Sequence, residues 1–527
     1  QDIVENGSMC RSDNAVEQES ISADDPRFTR YRVNLLVEQK KQHAPVVYED
    51  NPTYQNLVGR VEHIARMGTL VTDFTLIKPG ALHLANGGYL VLDAHKILSS
   101  AFAWDGLKRA LNAKEVRIDP IERQLSLAGT VSLEPEPIPI HLKVAIIGDR
   151  LLYFLLKAYD PEFSSLFKVA ADFAEEMDRD NSRDETYARL VATLQQREGL
   201  RELDSSGVSQ TIDWASRRTG DSEKLSLHMG SLLDLLQEAD HLARKNEVEV
   251  IDGTLIRQAI HNQRYRLDRI REQLQEDIQR GTLLIDTRGA QLAQVNGLSV
   301  IQIAGNAFGL PTRISATARM GSGELIDIER ETTLGGPLHA KGVLIISSYL
   351  AYRYARHQPL SLSASLVFEQ TYSEVEGDSA SAAELCALLS AIGNIPLAQS
   401  LAVTGSINQH GEMQAIGGVN EKIEGFFDIC VGRGLSGKQG VIIPASNIKD
   451  LMLKEQLVEA AAAGKFSIYA ASHIDEVMTL LTGVESGQPD AEGIYQEHTV
   501  NGHIQTQLFQ WTALRQQYAG VSGRGSE

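Results

Sequence analysis

The chain is poor in cysteine: Cys10, Cys386 and Cys430 are all that 527 residues contain. Three thiols in so long a chain exclude a disulfide framework and suit a reducing compartment. Positive charge is also short. Lys and Arg number 50 against 69 Asp and Glu, a net charge of −19. That balance argues against a general nucleic-acid binder, which must displace counterions from phosphates, and against docking on anionic membrane. No apolar run approaches the ~18 residues of a membrane span. The opening stretch QDIVENGSMCRSDNAVEQES lacks a charged region followed by an apolar one, so no secretory signal is read there. There is no H-E-x-x-H, no C-x-x-C and no clustered His/Cys spacing, so metal catalysis has no support and no metal is expected. The expectation is a cytoplasmic protein with neither nucleic acid nor membrane as partner.

What is present is ordinary globular composition, 43% hydrophobic and 23% charged. The length suggests about three domains. Residues 1–25 are acidic, with almost no large apolar side chains, and read as a flexible leader or the stump of an upstream helix. The start at Gln1 rather than Met reads as a fragment. Folded character begins near Tyr31 with YRVNLLV, an alternating strand-like run. Residues 26–184 mix helices with apolar strand runs at 88–93 (GYLVLD) and 142–147 (LKVAII), predicting a parallel sheet buried on both faces. Residues 185–280 carry Leu at helical spacing in LSLHMGSLLDLLQEADHLARK and TLIRQAIHNQRYRLDRIREQL, predicting a helical region with a charged connecting helix. From Gly281 the pattern turns β-rich, then alternates helix and strand, so residues 281–482 form an α/β or α+β domain. Residues 483–527 are a polar, Gln-rich tail. Ile504, Leu508, Trp511, Leu514 and Tyr518 share one face of a helix there, predicting a terminal helix packed on its own domain, with a partner-docking helix as the alternative.

Two elements carry chemistry. Gly377-Asp378-Ser379-Ala380-Ser381 lies between a β-rich stretch and an apolar helix. Ser379 sits at or just before the helix start, where free N–H groups and the positive dipole end favour a developing oxyanion. Taken alone, Ser and Asp before a helix are ordinary N-caps. The second element is GGVNEKIEGFFDIC. Gly417-Gly418 make a turn, Asn420 is the candidate N-cap, and Lys422 follows in the first helical turn beside Ile423, Phe426 and Phe427. Burial and the helix dipole both depress a lysine pKa there. A weakly nucleophilic serine hydroxyl needs such a base. The plain alternative is a surface lysine between Glu421 and Glu424.

Lys422 lies 43 residues after Ser379, with SLAVTGSINQHGEMQAIGGV between them. Together with QVNGLSV and GGPLHAKGVLI, this block resembles the proteolytic domain of the Lon proteases, the Ser–Lys peptidases. The resemblance implies Ser379 as nucleophile, Lys422 as general base, and Thr404 as the threonine that hydrogen-bonds the lysine. Asp378 and Ala380 flank the nucleophile and their backbone borders the oxyanion. Glu376 stands where some members have an acid that bears on the state of the site. Asp378 replaces the proline of the commonest bacterial enzymes and is similar to the archaeal-type branch. His339 and His410 have no triad signature, and no G-x-S-x-G surrounds Ser379.

The segment PGALHLANGGYLVLDAHKIL resembles the Walker-B region of the ATPase module in Lon-like proteins, with Asp93 as the Mg²⁺ contact. Ala94 stands where an active ATPase has its water-polarising glutamate. Lys168 lies near the arginine-finger position and cannot make the same bidentate phosphate contact. The string 432–439, GRGLSGKQ, fits a P-loop loosely but has no final Ser/Thr. It precedes a strand instead of a helix, and reads as a loop inside the protease domain. The subfamily resembled carries a long helical insertion between P-loop and Walker B, which would place the P-loop upstream of this sequence; a degenerate ATPase half is the alternative.

The resemblance therefore implies an α/β and α+β multidomain protein: a partial AAA+-like parallel-sheet module, a helical lid and a Lon-type α+β proteolytic domain. It implies a serine endopeptidase acting on unfolded or damaged proteins in a hexameric ring, with ATP and Mg²⁺ as family cofactors that peptide hydrolysis itself does not require. The alternatives are an ATP-independent peptidase of the same chemistry, or a non-catalytic assembly or adaptor protein that keeps the fold.

Overall fold

A computed structural model describes residues 32–38, 43–66, 69–119, 133–303, 305–356 and 359–522. The expected leader 1–25 and Cys10 lie outside them. The chain forms two compact units, one ending at Phe173 and one beginning at Ala174.

The first unit is built on a parallel three-stranded sheet of β1 (Val46–Glu49), β2 (Tyr89–Asp93) and β3 (Lys143–Ile147), in that order. Leu90 and Leu92 of the central strand are buried against Leu57, Leu82, Ile97 and Leu107. The expectation of a sheet covered on both faces is corrected here. Val46, Tyr48, Tyr89 and Ile147 alternate with buried or half-buried positions and are exposed, so the pleat buries one face more deeply than the other. The strand expected in YRVNLLV is also corrected. Residues 32–38 make no ladder; the Asn34 side-chain amide ties them down by donating to the carbonyls of Phe74 and Ile77.

The second unit opens with the helical region. Its helices are α1 (Asn181–Glu198), α2 (Ser205–Thr219), α3 (Met229–Lys245), α4 (Gly253–Tyr265) and α5 (Arg269–Arg280). Aspartates set three of the starts: Asp180, Asp204 and Asp252 each accept backbone N–H bonds from the first turn. Gly199 and Gly220 end the first two in the left-handed conformation. The Leu spacing read from sequence packs as expected, with Leu232, Leu235, Leu236, Ile256 and Ala259 in one core.

Beyond it lies a mixed seven-stranded sheet. Its strands are β4 (Gln294–Ile303), β5 (Asn306–Met320), β6 (Glu324–Asp327), β7 (Leu362–Phe368), β8 (Leu401–Val403), β9 (Gly440–Pro444) and β10 (Ser467–Ala471). Their order is β6-β7-β5-β4-β8-β9-β10. The LLIDT segment at 283–287, read as β-rich, forms no strand. The helices are α6 (Pro337–Tyr354), α7 (Ser381–Gly393), α8 (Val419–Gly432), α9 (Ile474–Thr482) and α10 (Val500–Ser522). Strand alternation assigns them to faces. Leu401, Val403 and Ile442 share a core with α7, whereas Ala402, Val441 and Ile443 share another with α8. The nucleophile-segment helix and the lysine helix thus cover opposite faces of the sheet and meet at the carboxyl end of β8.

The segment 483–527 contributes α10, which packs on α7. Val500, Ile504 and Leu508 are buried in the core, Trp511 packs against its edge, and Leu514 and Tyr518 are exposed. The first part of the expected face therefore anchors the helix. Leu508→Ala should destabilise the second unit by about 2–5 kcal/mol through the cavity it leaves. Tyr518→Ala, at a side chain 68% exposed, should shift stability by less than about 0.5 kcal/mol. Chemical denaturation of the two variants beside the unchanged protein checks the contrast.

Candidate active site

Helix α7 begins at Ser381 with Ala380 as its N-cap, so Ser379 stands in the loop just ahead of the helix. The loop is pinned from both sides. The Gly405 N–H donates to the Ser379 carbonyl at 2.9 Å, and the Ala382 N–H to the Gly405 carbonyl at 3.1 Å. The Ser381 hydroxyl accepts the Ile407 N–H at 3.1 Å, and Ser406 Oγ donates to Asp378 Oδ2 at 3.0 Å. The chain leaving β8 therefore holds the Ser379 segment in register.

Helix α8 starts differently from the sequence reading. Its N-cap is Gly418, in the left-handed region at φ 66°, a conformation that glycine adopts without strain. Asn420, expected as the cap, lies inside the helix and is buried. Its side chain donates to the Asp450 carbonyl at 2.7 Å and accepts the Met452 N–H at 2.7 Å. A cap reading from sequence sees only neighbours along the chain, and this side chain serves a loop 30 residues on.

Lys422 is 3% exposed. Its Nζ lies 2.8 Å from Ser379 Oγ and 3.2 Å from Thr404 Oγ1. Thr404 Oγ1 in turn donates to the Ser379 carbonyl at 3.3 Å. With its proton so used, Thr404 accepts from the lysine, and a neutral amine held there has a lone pair that it can turn to the Ser379 hydroxyl. Burial lowers the Lys422 pKa to about 8, and the negative charge of Asp378 opposes that shift. Desolvation of the ammonium is thus the cause that makes the amine available as a base near neutrality.

The alternative of a surface lysine between two glutamates fails on geometry. Glu421 and Glu424 turn away to Arg217 of α2, at 2.7 and 2.9 Å. Arg217 was missed from sequence, because its partners lie more than 200 residues further along the chain. Gly309 on β5 was missed too. A Cβ there would fall 2.0 Å from the Glu421 carbonyl oxygen and 2.7 Å from Lys422 Cα. The absent side chain is what lets α8 lie directly on the strand backbone.

The remaining expected residues lie apart from this cluster. Glu376 is exposed and accepts the Leu338 N–H at 3.3 Å, at the start of α6, so it serves a helix N-terminus. His339 is buried beside Asp327. His410 is exposed in a turn, with its ring against Tyr352. In the first unit, Asp93 ends β2 and its Oδ1 accepts the Lys96 N–H at 3.0 Å, capping the short helix Ala94–Ser99. Ala94 is buried, and Lys168 is exposed in the loop after the helix Phe163–Leu166. The string 432–439 runs from the last residue of α8 through the loop to β9, where Gln439 accepts from the N–H and hydroxyl of Ser436.

Two outcomes follow. Peptidase kcat/KM should rise about tenfold per pH unit below pH 8 and level above it, as a base with a pKa of about 8 loses its proton. The same shift sets the sign for stability. Between about pH 8 and 10.5 the unfolded lysine, at its ordinary value, holds a proton that the folded one has lost. Stability from this group therefore rises with pH across that window, and Lys422→Met should remove that part of the rise. A rate profile flat from pH 6 to pH 9 would count against the assignment. Separately, Gly309→Ala should push α8 off the strand and cut turnover by about 100-fold, with far-ultraviolet dichroism showing the fold retained.

Comparison with known proteins agrees with this architecture. Residues 42–174 match a LonB-like AAA domain, residues 202–266 the AAA+ ATPase LID domain of archaeal LonB, and residues 372–483 the C-terminal proteolytic domain of Lon protease. A Lon protease homolog of Escherichia coli is 38% identical over 413 residues, covering 78% of this chain and 69% of its own length. One of Haemophilus influenzae is 35% identical, covering 77% of this chain and 66% of its own length. The archaeal Lon protease of Archaeoglobus fulgidus is 26% identical, with shares of 86% and 70%. The chain thus spans about two thirds of the length of these relatives. With a serine and a buried lysine in contact where the proteolytic domain matches, this chain belongs to the Lon protease family.

Proposed function

We propose that this chain is a serine endopeptidase for unfolded or damaged polypeptide, with Ser379 as nucleophile and Lys422 as its general base. The observation that carries the reading is a buried amine, with its pKa lowered, 2.8 Å from a serine hydroxyl. Neutral Lys422 takes the Ser379 proton as Oγ attacks the scissile carbonyl. Backbone N–H groups around residues 378–380, ahead of α7, receive the oxyanion. The lysine ammonium then gives its proton to the leaving amine, forming the acyl-enzyme. Water, deprotonated by the same amine, releases the product. Thr404 is a positioning residue that fixes the direction of the Nζ lone pair.

Mg-ATP is implied by the AAA match, and the residues in hand do not compose a site for it. Asp93 spends its Oδ1 on a helix cap, Ala94 offers no group to polarise water, and Lys168 lies exposed in a loop. No step of hydrolysis is routed through nucleotide. In the assembled protein, a homohexameric ring in the cytoplasm, ATP would drive delivery of substrate; cleavage by the proteolytic domain proceeds on its own residues.

The purified chain should cleave unfolded casein with or without Mg-ATP, and Ser379→Ala should abolish the cleavage. Cleavage that persists in the Ser379→Ala protein would overturn the assignment of the nucleophile. Cleavage that strictly requires ATP would overturn the nucleotide-independent reading.

A further inference from the structure

The mechanism leaves one buried cluster unused. Asp327 ends β6, Glu329 follows in the single helical turn Ile328–Glu331, and His339 lies in the first turn of α6. Each offers one ligand atom, and these atoms all lie within 4.8 Å of one another. The three residues are 1–3% exposed.

Beyond the His339–Asp327 ion pair and the bond to Glu329 Oε1, the polar atoms of this cluster lack hydrogen bonds. Both carboxylate oxygens of Asp327, Oε2 of Glu329 and Nε2 of His339 are buried without a hydrogen-bond partner. Such groups cost on the order of 1–3 kcal/mol each, and more when charged. His339 Nε2 and Asp327 Oδ2 face each other as an ion pair at 3.1 Å, outside good hydrogen-bond alignment. A separation of about 3 Å between two ligand atoms also matches the spacing around a common ion with bonds near 2.0–2.2 Å.

The surroundings complete the pattern. Glu384 of α7 is 1% exposed, and its Oε1 lies 3.8 Å from His339 Nδ1 and has no hydrogen-bond partner. A carboxylate behind the far nitrogen of a metal-binding imidazole is the usual outer partner, fixing the tautomer that leaves Nε2 free for the metal. Glu329 Oε1 accepts the Phe368 N–H at 2.8 Å, which orients Oε2 in the same way. Two ionised carboxylates balance the charge of one divalent ion.

We propose that Asp327, Glu329 and His339 bind a divalent transition-metal ion, with Glu384 orienting the histidine. An imidazole with carboxylates suits Zn²⁺ or Mn²⁺ better than Ca²⁺ or Mg²⁺, which favour all-oxygen sets. The ion holds the end of β6 to the start of α6. Through Glu384 and Phe368 it braces both flanks of the segment that carries Ser379. It touches neither Ser379 nor Lys422, so the site is structural and independent of the hydrolytic reading.

The test uses the full chain stripped with EDTA, desalted and titrated separately with Zn²⁺, Mn²⁺, Mg²⁺ and Ca²⁺. Metal content, calorimetry and thermal unfolding are measured. One Zn²⁺ or Mn²⁺ per chain should bind and raise the unfolding midpoint. His339→Gln should lose that ion, and Glu384→Gln, which removes only the outer partner, should weaken binding about 10–100-fold. Ser379→Ala should bind metal like the unchanged chain, which separates this proposal from the catalytic one. Should His339→Gln fail to fold, Glu384→Gln decides. Uptake no greater than that of His339→Gln, affinity unchanged in Glu384→Gln, or preference for Mg²⁺ or Ca²⁺ would overturn the assignment.

Discussion

The exclusion of water from one lysine amine organises the proteolytic half of this molecule. A lysine amine in bulk water is fully protonated at neutral pH and useless as a base; the same group buried beside Ser379 and Thr404 is driven toward its neutral form. That environment costs stability, because the unfolded chain would keep the proton. It persists because α8 is locked in place by cores that have nothing to do with lysine. The seven-stranded sheet is the reference surface: α7 brings the serine from one face, α8 brings the lysine from the other, and Thr404 sits where β8 ends between them. Three side chains from three elements converge there.

The helical region is part of the same construction. Arg217 is itself mostly buried, and it gathers Glu421 and Glu424 from the outer side of α8. Two carboxylates directly beside Lys422 in sequence would favour its charged form if they faced inward. Held by a guanidinium, they are turned out and neutralised. A second pair, Arg271 with Asp428 at 3.0 Å, fastens the next turn of the same helix to α5. The lid-like helices therefore bear on the candidate site through the helix that carries Lys422.

The sequence made this site legible to the extent that its signals were local. Small residues around Ser379, a lysine amid aromatic residues and the spacing between them pointed to two side chains that the fold brings within 2.8 Å of each other. Leucine periodicity in 185–280 and the apolar face from Ile504 to Trp511 found their cores because amphipathic helices announce which side is inward. The failures share a cause. The alternation in residues 32–38 resembled a strand, but a strand exists only with a partner, and alternation does not specify one. Asn420 had the chemistry of a cap and went to a distant loop. The alternation that should have exposed one face of the first sheet was hidden by residues apolar on both sides, such as Tyr89 and Ile147. Arg217 and Gly309 gave no signal at all, since what makes each matter is a neighbour brought by folding.

The contact at Gly309 has a consequence for how this enzyme can change. Gly309 also meets α8 at Gly425, where a Cβ would fall 2.2 Å from the Gly309 carbonyl oxygen. Main chain rests on main chain, so no choice of side chain at the junction can tune the distance by small steps. The position of Lys422 is quantised: the helix is seated or it is not. Gradual adjustment of the lysine must therefore come from the opposite side of α8, where Arg217 and the two glutamates can be exchanged without disturbing that seat. Variation that alters rate without abolishing it should gather on the outer surface of the helix, away from the residues that perform the reaction.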